Sequence, residues 1–307
     1  MIHFAIAQLI LFSPANAHAF NCMHRGLQEQ VNQMTKVGWV EEPGELGRRT
    51  EDEYATDHGK TFEEIQDRFA ATGVLDCNGA KVTAQLTGDQ STISTVAHAF
   101  TDPKTCKKWD GVRADRCTFT VRSSQREQTV DVSGVVIQGF NCPAKPKASQ
   151  DWAVLKLKTP LKGIRPYQLP KSYDHIDERD KVIAVNARNS DYFYSDKKTG
   201  EKVYPKTIED CTSKIGYPDP VEFKIVGSTC DPTPGASGGS ILKSNSKGDI
   251  LVALTRASDE TPQEEELGRQ GKPVRKPFKA HQWSGYSVAV TGDFLAALRR
   301  ATGILDE

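Results

Sequence analysis

The sequence predicts an all-β chain of two antiparallel barrels, with a C-terminal helix and a helical N-terminal extension. Three observations predict it. From about Ala71 the apolar period is two, in short runs rich in β-branched residues. These runs fall into two groups, with Pro160 and Pro166 punctuating the boundary. The turns between them carry Gly, Asn, Asp and Lys, as in Gly88-Asp89 and Lys198-Thr199-Gly200. Many short strands at near-regular spacing bury their apolar faces best by closing into barrels.

The chain opens on Phe4 to Phe12, an apolar core too short to span a bilayer. Ala15-Asn16-Ala17 and Ala17-His18-Ala19 follow, both small-x-small sites of the kind that end an export signal, so residues 1–19 read as one. No Lys or Arg precedes the apolar run, and a buried N-terminal strand is the alternative. Residues 20–70 read as an extension or pro-region. Leu27, Val31 and Met34 recur at helical spacing, and Glu41 to Lys60 reads as a charged loop. Arg48-Arg49 within it is either a processing point or solvated surface. Thr61-Phe62-Glu63-Glu64 is a capping box, and Phe62, Ile65 and Phe69 then share a helical face.

The first barrel, about 71–160, takes strands from Lys81 to Leu86, Thr92 to Ala97, Cys117 to Val121, Thr129 to Ile137 and Trp152 to Leu157. The second, about 161–301, takes Lys181 to Val185, Tyr192 to Tyr194, Lys202 to Tyr204, Glu222 to Val226, Ser240 to Leu242, Ile250 to Thr255 and Gly285 to Val290. Ser258 to Lys279 reads as an exposed insertion. Thr291 to Arg300 is a short helix, with Asp293 near its start and Arg299-Arg300 near its end to complement the dipole.

The 307 residues balance 40 Lys plus Arg against 40 Asp plus Glu, so nothing global argues for nucleic acid or an anionic membrane surface. No later stretch is apolar enough for a membrane span. Seven cysteines fit an exported protein. Cys106 and Cys117 flank a polar loop, and Cys211 and Cys230 bracket the approach to Ser237; both pairs are expected as disulfides, leaving Cys22, Cys77 and Cys142. No CxxC or HxxxH pair occurs, so neither metal nor cofactor is expected.

The chemistry gathers around Cys230-Asp231-Pro232-Thr233-Pro234-Gly235-Ala236-Ser237-Gly238-Gly239-Ser240. A tight glycine-rich turn can aim the N–H groups of Gly235 and Ser237 at one point, as a tetrahedral oxyanion requires. By itself the pattern is also linker composition. Thr95-Val96-Ala97-His98 ends a strand on a histidine, and Asp151 opens the strand Trp152 to Leu157. Each alone has a structural explanation. Together they run His98, Asp151, Ser237, separated by 53 and 86 residues.

These three segments resemble the trypsin/chymotrypsin superfamily of serine peptidases, over about residues 71–300. The resemblance implies two six-stranded barrels and an acyl-enzyme mechanism on a protein or peptide substrate. It makes Ser237 the nucleophile, His98 the general base and acid, Asp151 its orienting carboxylate, and Gly235 and Ser237 the oxyanion hole. Two positions depart from the animal-type pattern. Ala236 stands where those enzymes keep the Asp that pairs with a new N-terminus, and Ala99 where they keep a cysteine. Both are similar to the bacterial secreted branch, glutamyl endopeptidases among them.

Specificity is open. By the resemblance Asp231, six residues before Ser237, would floor the pocket for Lys or Arg; equally, Asp before Pro caps a turn. Thr255 and Arg256 lie in the strand expected to wall the pocket, and Arg256 could attract an acidic side chain or pair with Asp231. The rivals to an active peptidase are a catalytically silent fold used as a binding module and an enzyme held latent by residues 20–70.

Overall fold

The computed structural model describes residues 47–142, 147–171, 176–190, 192–195, 199–215, 225–258 and 285–304. The expected export signal, the helical spacing at Leu27 to Met34 and all but the first residue of the Ser258 to Lys279 insertion lie outside them.

The described chain begins with a two-residue strand, β1 (Arg49–Thr50), and two helices, α1 (Glu51–Asp57) and α2 (Phe62–Arg68). The capping box at Thr61 and Glu64 is formed as expected. A second box starts α1, where Thr50 accepts from the Glu53 N–H and Glu53 returns the bond. Over residues 49–57 this corrects the reading of Glu41 to Lys60 as loop, and residues 41–46 lie outside the described residues. The charged run Glu51, Asp52 and Glu53 is the first turn of a helix, where carboxylates favour the dipole, and Tyr54 and Ala55 are its buried face.

Barrel one is β2 (Thr72–Cys77), β3 (Ala80–Leu86), β4 (Thr92–Thr95), β5 (Cys117–Arg122), β6 (Glu127–Gln138) and β7 (Ala153–Leu157), closed in the order β2-β3-β4-β7-β6-β5. Asn78 and Gly79 join the first two strands with positive φ at both positions, the hairpin turn that matches strand twist. Leu75, Ala84, Leu86, Ile93, Phe119 and Leu155 fill its core.

Barrel two is closed by β8 (Lys181–Asn186), β11 (Thr207–Ile215), β12 (Ile225–Ser228), β13 (Ser240–Asn245), β14 (Gly248–Ser258) and β15 (Gly285–Ala289). A hairpin of β9 (Tyr194–Ser195) and β10 (Lys202–Val203) stands outside the circuit, so the expected strands at Tyr192 and Lys202 are not barrel strands. β11 takes their place. The first residues of the chain described join this barrel, with Arg49 opposite Ile208 and Thr50 opposite Thr207. The closing helix α3 (Gly292–Thr302) reaches barrel one and stacks Phe294 on Trp152, ring centroids 5.0 Å apart.

Three disulfides pin the described chain: Cys77–Cys117, Cys106–Cys142 and Cys211–Cys230. The expected Cys106–Cys117 pair is corrected. Cys77 and Cys117 are register partners on adjacent β2 and β5, so they meet directly, and Cys106 reaches Cys142 instead. Cys211–Cys230 forms as expected. Three disulfides indicate an oxidising compartment. Among the described residues no helix is long and apolar enough to cross a membrane.

Candidate active site

β4 and β7 are paired antiparallel, with Thr95 opposite Ala153. The chain therefore leaves β4 at the same end at which it enters β7. His98 sits in the helical turn Ala97–Ala99 beyond β4, and Asp151 just before β7. Their meeting follows from that register. His98 Nδ1 lies 2.7 Å from Asp151 Oδ2, and the His98 backbone N–H donates to Oδ1 at 2.9 Å. Trp109 Nε1 donates to the His98 carbonyl at 2.8 Å and fixes the turn from the other side.

The Asp151 side chain is 0% exposed. Burial pushes its carboxyl up, but the hydrogen bond and charge of His98 and the charge of Arg256 more than reverse this, and it stays below the usual carboxylate range. With Asp151 ionised, Nδ1 carries the ring proton and Nε2 is left to accept.

The Ser237 loop is held from three directions. Gly238 N–H donates to the Thr255 carbonyl at 2.7 Å, and Thr255 N–H returns to Gly239 at 2.8 Å. From barrel one, the Thr83 N–H donates to the Ser237 carbonyl at 2.9 Å and its hydroxyl to the Gly235 carbonyl at 3.1 Å. Asn189 accepts from both the N–H and the hydroxyl of Thr233 at 3.2 Å. Gly238 has φ +85°, and a Cβ there would fall inside the Thr83 carbonyl and the Thr95 hydroxyl, so only glycine allows this approach of the two barrels. Among the described residues, the N–H groups of Gly235 and Ser237 meet no acceptor. The N–H groups of Asp231, Thr233, Ala236, Gly238 and Gly239 in the same loop are all engaged.

The structure does not bring all three expected residues into one chain of hydrogen bonds. The Ser237 hydroxyl donates to the Arg256 carbonyl at 3.3 Å, not to His98. The Arg256 side chain turns to Asp151, with Nε 3.0 Å from Oδ2. The approach is off the N–H axis, so it is a contact of charges and not a hydrogen bond. Of the two expectations for Arg256, the pairing with Asp231 is not formed, since its side chain lies on Asp151. Thr255 is 2% exposed and serves the loop through its backbone.

Asp231 is paired with Arg48, whose Nη2 lies 3.2 Å from Oδ2. The two readings of Arg48-Arg49 as processing point or solvated surface both miss this, since Arg48 is 1% exposed. Beside the pair lies Glu209, whose Oε2 accepts from the Asp231 N–H at 3.0 Å. Burial pushes the Glu209 carboxyl up, with the Asp231 charge adding to it, to about 8. Cys211 and Cys230 lie close to Glu209 as a set of potential metal donors, but their sulfurs are bonded to each other. Nothing in the sequence marks Arg48 or Glu209 as neighbours of the loop, because 183 and 22 residues separate them from Asp231.

No family model matches the chain, and no curated protein matches it by sequence. The double barrel is chymotrypsin-like in its fold. Architecture of this kind does not fix activity, which resides in the site.

Proposed function

We propose that the chain is an exported serine endopeptidase that cleaves peptide bonds through an acyl-enzyme on Ser237. The observation that carries the reading is the 2.7 Å contact of His98 Nδ1 with a fully buried Asp151, which orients Nε2 as a base. In this reading Ser237 Oγ attacks the substrate carbonyl carbon and its proton passes to Nε2. The oxyanion is met by the N–H groups of Gly235 and Ser237. His98 returns the proton to the leaving amine as the C–N bond breaks, and a water molecule repeats the sequence to free the acid. Asp151 stays ionised and stabilises the imidazolium. Substrate binding has to turn the Ser237 hydroxyl from Arg256 to His98. Longer catalytic hydrogen bonds in ligand-free sites are common.

A second reading has an observation in its favour. Arg256 occupies Asp151, and its carbonyl holds the Ser237 hydroxyl, as a silent site used for binding would allow. Labelling by a fluorophosphonate probe separates the two. The peptidase reading expects the wild type to label, and Ser237→Ala and His98→Ala to remain folded and unlabelled. A wild type that stays unlabelled even after trimming to about residue 70 rejects it in favour of the binding module.

A further inference from the structure

We infer that Arg48 is a specificity-determining residue of this site: it holds the Asp231 carboxylate from inside the fold, so the slot beside Ser237 accepts uncharged side chains and rejects lysine and arginine. The inference rests on the peptidase reading above.

The slot follows from the register of β14 and β15. Ser237 Oγ touches the carbonyl of Arg256 in β14. Two residues further on, Ser258 is the partner of Gly285, which opens β15. Gly285 lies against Cys230 and Pro232, and a Cβ on it would stand 2.9 Å from the Cys230 carbonyl. The strip of β14 from Arg256 to Ser258 therefore runs from the nucleophile to the flanks of Asp231. Two extended residues span about 7 Å, the reach of one side chain. A side chain laid along this strip from Ser237 ends beside Asp231, whose own side chain is 22% exposed.

An unopposed carboxylate there would draw a cation. Instead the register that pairs Arg49 with Ile208 sets Arg48 level with Glu209, and Glu209 bonds the Asp231 N–H. Arg48 is delivered to Asp231 from beneath, with the Tyr192 ring 5.9 Å from its guanidinium carbon. With Glu209 largely protonated at neutral pH, Arg48 sets a cation against the Asp231 carboxylate. A substrate lysine or arginine would add a second cation to one carboxylate in a partly desolvated site, which is unfavourable unless it has its own partner.

The test uses the full chain and pairs of fluorogenic peptides that differ only in the residue donating the scissile carbonyl. Probe labelling is run alongside. The wild type is expected to prefer norleucine or glutamine to lysine and arginine. Arg48→Gln should raise the ratio of kcat/KM for arginine over norleucine by about 10²-fold, the effect of one desolvated charge pair. Arg48→Gln/Asp231→Asn should return the ratio to the wild-type value. Asp231→Asn alone leaves the Arg48 cation without its carboxylate and should raise cleavage after glutamate, so the idea stays testable if Arg48→Gln misfolds. Wild-type cleavage after lysine or arginine would overturn the inference. So would variants that label normally while their preferences stay unchanged. A wild type that stays unlabelled even after trimming to about residue 70 overturns the peptidase reading itself.

Discussion

Arg256 Nε lies 3.0 Å from Asp151 Oδ2, the same oxygen that receives His98 Nδ1 at 2.7 Å. A guanidinium on the orienting carboxylate stabilises the carboxylate but opposes the imidazolium that must form during proton transfer. Two unit charges about 6 Å apart at an effective dielectric near 20 interact by roughly 3 kcal/mol, and solvent at the half-buried Arg256 reduces this. Arg256→Gln should therefore label with a fluorophosphonate about tenfold faster than wild type. Slower labelling would mean that Arg256 positions Asp151 instead.

Glu209 couples stability to pH. Its carboxyl is raised from 4.5 to about 8 in the folded protein, chiefly by burial. The folded state thus holds a proton that the unfolded state gives up. Stability from this group is complete below about pH 4.5 and is lost as pH rises through 8. The groups facing it are Asp231, Arg48 and Asp210. Thermal melts should fall across this window in wild type, and Glu209→Gln should remove most of the slope. A slope unchanged in the variant would place the titration elsewhere.

Gly238→Ala tests the docking of the nucleophile loop on barrel one. The methyl would meet the Thr83 carbonyl and the Thr95 hydroxyl, and φ +85° is itself strained for alanine. A loss of about 3 kcal/mol or more in denaturant unfolding is expected, with probe labelling abolished. Normal labelling would show that the loop does not need this contact.

Cys77→Ser/Cys117→Ser removes a bridge with a sequence separation of 40 residues. Chain entropy alone gives such a bridge about 4 kcal/mol. Urea unfolding should show a loss of several kcal/mol with the β2–β5 register otherwise kept. A Cys106→Ser/Cys117→Ser variant should lose two bridges, not one, and peptide mapping of the remaining thiols checks this.

Much of the fold was legible because strands that are half buried advertise a period of two. Cys117 to Val121 is such a run, whereas Ile250 to Thr255 is buried throughout and shows as an unbroken apolar stretch up to Leu254; both are strands. β11 was not legible. Thr-Ile-Glu-Asp-Cys-Thr-Ser-Lys-Ile carries Glu209 and Asp210 in its middle, and such residues read as loop. They are tolerated because Glu209 is buried beside Arg48 and Asp231, while Asp210 takes the Tyr54 hydroxyl and His58. The pairing of His98 with Asp151 was visible in motif order. The partners of Arg48 and Arg256 were not, because long side chains choose among charges brought close only by the folded barrels.

The pairing of Arg48 with Asp231 also sets a schedule. Arg48 is synthesised 183 residues before the carboxylate it binds, an interval of roughly 10–40 s on a translating ribosome. In the same chain, the last helix completes the packing of Trp152 in the first barrel. The earliest described segment thus finishes the later barrel, and the latest one finishes the earlier barrel. Neither barrel reaches its final form before both segments have been made, so the candidate site is assembled only once synthesis has passed Thr302.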